Sequence, residues 1–287
     1  MTFRLIQGTA TGPRRGQWRS SRGTVETPAF MPVATRGLMR GPWHQQLAPM
    51  GVEMMLANAF HLASRPGVET IKSLGGVHGM MGWQGPVLTD SGGFQAFSLA
   101  DQTQFTPKGF RMRDPVKGHW LDWTPAHAFE VQKELGPDIA MLLDVCPALP
   151  KQEETCANAV ATTLQWAKIQ HDLHQQRGGS ESGQSQFAIV QGGIFPQLRE
   201  ECAKSLVDLG FDGFAIGGVS VGEGFEAMMA GVDYSTPHLP TEQIRYLMGV
   251  GTPRDLVESV ARGVDLFDCV WPTRAGRFAT ALTVNGK

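Results

Sequence analysis

The run Leu88-Thr89-Asp90-Ser91-Gly92-Gly93-Phe94-Gln95 ends a short apolar segment in a carboxylate. A small hydroxyl, two glycines, an aromatic ring and an amide follow at once. Paired glycines allow positive φ and close approach of the backbone to a ligand. Phe94 offers a flat face for a planar ring. A carboxylate, backbone N–H groups and an aromatic face together suit a nucleobase-like substrate. A strand-to-turn junction in which Asp90 caps the following helix accounts for this segment equally well.

The same arrangement recurs along the chain. Five further apolar runs end in a polar group or a glycine turn: Leu143-Asp144-Val145-Cys146, Val190-Gln191-Gly192-Gly193, Ile216-Gly217-Gly218-Val219, Met248-Gly249-Val250-Gly251 and Phe267-Asp268-Cys269. Asp144 can accept two hydrogen bonds from an amidine-like N–H/NH2 edge. Gln191 and the amides near Gly217 and Gly218 can donate to a carbonyl oxygen. Together they match the edge of guanine, which offers two adjacent donors and one acceptor. Phe94 and Met248 can sandwich the ring. Asp90 and Asp268 remain. Two carboxylates are the minimal kit for breaking a glycosidic bond, one attacking the anomeric carbon and the other moving a proton. For Asp268, a strand-end salt bridge or a helix cap is the plainer alternative.

For these groups to converge, the apolar runs must lie side by side. Residues 29–33, 52–57, 86–89, 138–143, 187–190, 213–216, 245–248 and 264–267 are predicted as strands. Helical patterns over 67–74, 125–135, 153–174, 196–209, 225–232 and 253–262 fill most gaps. Thr124-Pro125 and Thr252-Pro253 each set a capping hydroxyl before a proline at the first helical position. Eight βα alternations argue an α/β chain whose parallel sheet closes as a (β/α)8 TIM barrel, with the strand C-termini on one rim. A doubly wound open sheet is the alternative, weakened because no G-x-G-x-x-G follows the first strand. Two segments make the barrel irregular. Residues 1–27 read as an N-terminal hairpin cap on the barrel floor, and 101–123 as a hairpin insertion after strand three. Residues 177–186 read as a surface loop. With no repeat and no boundary, 1–287 read as a single catalytic domain.

Bulk properties narrow the classes. The 287 residues suit one barrel of roughly 250 residues. No apolar run nears the ~20 residues that span a bilayer, and the N-terminus has no signal-peptide core. A cytoplasmic location and no membrane partner are therefore expected. The formal net charge of −2 does not announce nucleic acid. Arg14, Arg15, Arg19 and Arg22, like Arg274 and Arg277, read as solvated surface. Cys146, Cys156, Cys202 and Cys269 form neither a disulfide framework nor a zinc pattern, so no metal site is expected in this chain. The polar neighbours of His171 and His174 put this pair on an exposed helix face.

Four blocks carry a resemblance: 90–95, 215–223, 246–251 and 267–274, the last reading Phe267-Asp268-Cys269-Val270-Trp271-Pro272-Thr273-Arg274. In order and spacing the chain resembles the tRNA-guanine transglycosylase family, also called queuine tRNA-ribosyltransferase. The resemblance implies base exchange at the tRNA wobble position in queuosine biosynthesis. Asp268 would be the nucleophile that holds the RNA through its ribose. Asp90 would protonate departing guanine and then deprotonate an incoming 7-deazaguanine base. Ser91, Gly92, Gly93, Phe94 and Met248 would line the base. Asp144, Gln191, Gly217 and Gly218 would read its edge. Val219 would offer its carbonyl to the 7-substituent, with Glu223 setting the adjoining peptide. Cys146 and Val221 would bound the 7-substituent pocket, and valine there matches the bacterial type, which uses 7-aminomethyl-7-deazaguanine. Gly249, Val250, Gly251, Thr252, Pro253, Arg254 and Asp255 would follow the RNA backbone. Thr273, Arg274, Ala275, Gly276 and Arg277 would read the bases flanking the target. A homodimer is a further implied partner.

Two departures stand out. Asp144-Val145-Cys146 replaces the family's usual Asp-Glu-Cys. The structural zinc expected of a full-length member, held by a Cys-x-Cys-x-x-Cys cluster and a distant His, has no matching pattern in these 287 residues. Two competing functions follow. A glycoside hydrolase would use Asp90 and Asp268 with water, but a sugar needs no base-reading pair like Asp144 and Gln191. A truncated, non-catalytic member acting as an RNA-binding or accessory subunit would lack the carboxylates that this chain keeps.

Overall fold

The computed structural model describes residues 1–93, 103–114, 118–149 and 151–283. Phe94 and Gln95 lie outside the described residues. Strands β1 (Thr2–Gly8), β2 (Arg14–Ser20) and β3 (Gly23–Thr27) form an antiparallel sheet. Eight parallel strands follow: β4 (Ala29–Pro32), β5 (Met55–Asn58), β6 (Val87–Asp90), β10 (Ile139–Met141), β11 (Ser185–Val190), β12 (Gly213–Ile216), β13 (Ile244–Leu247) and β14 (Leu266–Cys269). Between β6 and β10, strands β7 (Thr103–Thr106), β8 (Gly109–Arg113) and β9 (Trp120–Trp123) make a second antiparallel sheet.

The parallel strands are ordered β4-β14-β13-β12-β11-β10-β6-β5. One bridge between Val33 and Leu56 joins the two ends, with the Ala34 N–H donating to the Leu56 carbonyl at 2.7 Å. The chain is thus an irregular (β/α)8 barrel with helices packed outside it. The helices Pro125–Leu135, Glu153–Gln176, Pro196–Leu209, Phe225–Ser235 and Pro253–Ala261 lie in the predicted gaps. The threonine caps form: Thr124 accepts from His127 N at 3.2 Å and Thr252 from Asp255 N at 3.3 Å. Gly213 on β12 leaves room for the Phe187 ring of β11 opposite it; a Cβ there would sit 2.5 Å from that ring.

The N-terminal sheet is fastened to the floor by charge. Arg14 Nε lies 2.9 Å from Asp265 Oδ1, both side chains fully buried. Asp265 Oδ2 accepts from Arg245 N at 2.8 Å, and Arg245 Nη1 reaches back to the Ala10 carbonyl at 2.5 Å. The solvated arginine cluster expected here is therefore corrected for Arg14, which is a structural ion-pair partner. His174 is also corrected: it is buried, edge-on to Phe129 at 6.4 Å and 3.7 Å from Asp212.

Strand boundaries differ from expectation where side chains take over backbone hydrogen bonds. Residues 142–143 were predicted as strand, yet β10 ends at Met141. The Leu143 N–H donates to Gln170 Oε1 at 2.7 Å and its carbonyl accepts from Gln170 Nε2 at 3.2 Å. The Val145 N–H goes to Thr163 Oγ1 at 3.0 Å. Residues 52–54 precede β5, because the Val52 N–H closes a turn on Leu47. The predicted loop 177–186 is shorter: Ser185 and Gln186 belong to β11, paired with Ile139 and Ala140. Among the described residues no helix is long and apolar enough to cross a membrane.

Candidate active site

Asp90 closes β6 directly opposite Asn58, the last residue of β5. Asn58 Nδ2 donates to Asp90 Oδ2 at 2.5 Å, and the Ala59 N–H donates to Oδ1 at 3.1 Å. Asn58 Oδ1 meanwhile accepts from His61 N at 2.9 Å, capping the helix Ala59–Ser64. One amide thus caps a helix with its oxygen and orients a carboxylate with its nitrogen. Ala59 is the first residue of that helix, so the helix after β5 supplies one of the donors to Asp90.

Asp268 stands on β14 next to β13. Its Oδ1 accepts from Tyr246 Oη at 2.5 Å and from Gly249 N at 2.8 Å. Neither partner is a cation, and among the described residues Oδ2 has no hydrogen-bond donor. Burial raises the Asp268 carboxyl above its ordinary range, while the two donors pull it back. The Tyr246 phenol is held well above its usual range by burial, by Asp268 and by Asp90. It stays a donor at any working pH. Both carboxylates therefore lie close enough to one phenol to oppose its ionisation.

A second cluster sits on the ends of β10, β11 and β12. Gln191 Nε2 donates to Asp144 Oδ2 at 2.6 Å, and both residues are buried. Glycines leave the room. A Cβ on Gly93 would come within 2.7 Å of Asp144 Oδ1, and one on Gly218 within 2.2 Å of Gln191 Oε1. Gly218 also needs its positive φ of 62°. Burial pushes the Asp144 carboxyl up to about 6 against the Gln191 hydrogen bond. Burial and Asp144 push the Cys146 thiol up to about 12, with Gly218, Arg199 and Gln191 opposing part of that rise. Cys146 is a neutral lining group and no thiolate nucleophile. Gln191 Oε1 is buried without a partner among the described residues.

The flanking turns are braced. Ser91 Oγ accepts from Gly93 N at 3.3 Å, and the Ser91 carbonyl accepts from Trp123 Nε1 at 2.8 Å, which ties the β7–β9 insertion to this turn. A Cβ on Gly92 would collide with that indole. Past β12, Glu223 accepts from Ser220 N and, at 2.9 Å, from Val221 N. Ser220 N–H is the other half of the Val219 peptide, so Glu223 holds the Val219 carbonyl's plane. Val221 and Met248 are half-buried.

The family described as queuine tRNA-ribosyltransferase matches residues 9–287. The chain belongs to that family. It is 46% identical over 286 residues to the queuine tRNA-ribosyltransferase of Thioalkalivibrio sulfidiphilus, covering 100% of this chain and 76% of the relative. It is 45% identical over 273 residues to that of Hydrogenovibrio crunogenus, covering 95% and 72%. The Vibrio atlanticus protein of the same name is 45% identical over 272 residues, covering 95% and 71%.

In this queuine tRNA-ribosyltransferase family member, the residues singled out for RNA fall on the same rim as Asp268. Gly249 spends its N–H on Asp268, and Val250 and Gly251 are buried. Pro253 and Arg254 are exposed, and the Arg254 guanidinium lies 3.6 Å from the Phe225 ring centroid. The helix Trp271–Arg277 follows β14 directly; it exposes Arg274, Gly276 and Arg277 and buries Ala275. Among the described residues no three His, Cys, Asp or Glu side chains group as a metal site. Cys156 and Cys202 are buried and Cys146 and Cys269 half-buried, and they provide no donor set for the zinc implied for a full-length member.

Sequence reasoning passed over Asn58 and Tyr246. Each sits on the strand beside the carboxylate it serves, and each ends or nearly ends that strand. Polar residues inside otherwise apolar strand runs were the signal available for both.

Proposed function

We propose that this protein exchanges guanine at the tRNA wobble position for 7-aminomethyl-7-deazaguanine by two successive displacements. The Asp144–Gln191 pair, backed by glycines that admit no side chain, carries this reading. It supplies an acceptor for adjacent base donors and an amide donor for a base carbonyl, within one buried cluster. Asp268 Oδ2 attacks the ribose anomeric carbon; the C–O bond forms as the C–N bond to guanine breaks. Asp90 gives the departing guanine its proton. The incoming base then loses a proton to Asp90 and displaces Asp268, which restores the Asp90 acid and the Asp268 carboxylate. Two inversions retain the anomeric configuration.

Radiolabelled guanine exchange into tRNA tests the proposal. Incorporation without net loss of base from the RNA is expected. Release of free base with water as acceptor would point to hydrolysis. RNA binding with neither outcome would point to an accessory subunit.

A further inference from the structure

Arg199, from the helix Pro196–Leu209, is fully buried, and among the described residues it has no ion pair. Its hydrogen-bond partners among the described residues are all backbone carbonyls. Nε donates to Gly193 at 2.8 Å; Nη1 donates to Val190 at 3.1 Å and to Gly217 at 2.7 Å; Nη2 donates to Gly218 at 3.1 Å. Val190 and Gly193 bracket Gln191 in the chain. Gly217 and Gly218 open the turn after β12. One guanidinium therefore ties together the two segments that carry the base-facing amides.

The arrangement is not explained by packing. Burying a cation in this apolar layer is costly, and apolar residues of similar volume often replace buried charges with a gain in stability. The guanidinium remains a cation at neutral pH, since burial lowers it only to about 10. Its planar fork can satisfy four carbonyls at once, which a lysine ammonium cannot do. Gly231 leaves room for the turn that Arg199 holds: a Cβ there would stand 2.6 Å from Val219 Cγ1.

The peptide planes supply the functional link. In a trans peptide the carbonyl and the N–H point in opposite directions, and neither Gly217–Gly218 nor Gly218–Val219 is cis. Carbonyls anchored on Arg199 turn the Gly218 and Val219 N–H groups away from it. A cation on the far end of these peptides also polarises their N–H groups and strengthens them as donors.

Resting on the base-exchange reading above, we propose that Arg199 is the positioning residue for recognition of the base's 6-oxo group. It orients and polarises the amides after β12 and so makes the site select a carbonyl over an amine at that position.

The test measures inhibition of tRNA exchange by guanine and by 2,6-diaminopurine, which carries an amine in place of the 6-oxo group. It uses the unmutated protein, Arg199→Lys and Arg199→Met, with KM for tRNA followed in parallel. The unmutated protein should prefer guanine by roughly 100-fold or more. In Arg199→Lys the guanine KM should rise roughly 10- to 100-fold with an unchanged tRNA KM, and the preference over 2,6-diaminopurine should shrink by a similar factor. Loss of guanine and 2,6-diaminopurine binding in equal proportion, or an unchanged preference, overturns the proposal. So does an unmutated protein that binds the two bases alike, a result that needs no variant to fold. Failure of the unmutated protein to exchange guanine at all overturns the base-exchange reading itself.

Discussion

Tyr246 and Asp268 share a 2.5 Å hydrogen bond in which the phenol donates to Oδ1. The Gly249 N–H joins the same oxygen at 2.8 Å. Loading both donors on one oxygen fixes the carboxylate plane and leaves Oδ2 open for the attack proposed above. The phenol also offsets part of the burial that raises Asp268. Tyr246→Phe keeps the ring and removes that donor. A hydrogen bond to a charged group contributes about 1.5–3 kcal/mol, so the rate of covalent RNA–protein formation should fall roughly 10- to 100-fold. Asp268 must be ionised to attack. With its carboxyl higher still in the variant, the acid limb of the pH–rate profile should move to higher pH. A limb that stays in place would show that Tyr246 only packs.

The two carboxylates should separate in a trapping experiment. Asp268→Ala removes the proposed attacking oxygen and should leave no denaturant-resistant protein–RNA adduct. Asp90→Ala should slow exchange while tRNA binding remains. A normal adduct yield in Asp268→Ala, read on a denaturing gel, would remove Asp268 from the nucleophile role.

Asp144 ties base recognition to pH. Its carboxyl titrates at about 6 because burial disfavours the charge. In the proposed base pairing guanine needs the carboxylate, since a protonated acid would set a donor against the base's donors. The guanine KM should therefore rise as pH falls below about 6, approaching tenfold per unit. Stability runs the other way. A folded carboxyl raised above its unfolded value disfavours folding at high pH, and the penalty fades as pH falls through about 6 toward 4. Asp144→Asn removes that penalty. It should stabilise the free protein by on the order of 1–3 kcal/mol at pH 8 and by little at pH 4. It should also lose guanine and shift preference toward bases with a carbonyl where guanine has its 2-amine. Urea unfolding at both pH values and guanine exchange check the two halves separately.

The fold was legible because eight apolar runs recur with turn chemistry between them, and all eight appear as barrel strands. What sequence patterns could not show is where side chains replace strands. Gln170 and Thr163 lie on a helix far from residues 143–145 in the chain, and no local pattern announces that they take over those hydrogen bonds. The clustering of Asp144, Gln191 and Gly218 follows from their shared place at strand ends. The supporting groups are harder to read. Arg199 looks like any helix arginine, and Arg14 like surface charge, until long-range contacts bury them. Phe94 lies outside the described residues, so its stacking against Met248 stays an expectation.

Arg14 and Asp265 give a stability test far from the rim. Removing one partner of a buried ion pair leaves the other charge uncompensated and costs about 3–5 kcal/mol. Asp265→Ala should lower the free energy of unfolding by that amount and loosen residues 1–27 to proteolysis. A change under about 1 kcal/mol in chemical denaturation would show that water or the neighbouring carbonyls already solvate Arg14.

Val221 should set the size limit for the 7-substituent. It is half-buried, three residues past Gly218, and its N–H is held by Glu223 at 2.9 Å. That bond fixes the backbone, so the side chain cannot simply swing away from a bulky ligand. Forcing extra volume into a packed site costs roughly 1–3 kcal/mol or more. The compact aminomethyl base should therefore be used well and queuine, with its cyclopentenediol ring, poorly. Val221→Gly removes the branched side chain and leaves the Glu223 hydrogen bond in place. It should raise kcat/KM for queuine roughly 10-fold or more and barely alter guanine exchange, because guanine has nothing at that position. Side-by-side incorporation of both bases into tRNA measures the ratio. Efficient queuine use by the unmutated protein would place the size limit elsewhere and assign the chain to the queuine-using branch of its family.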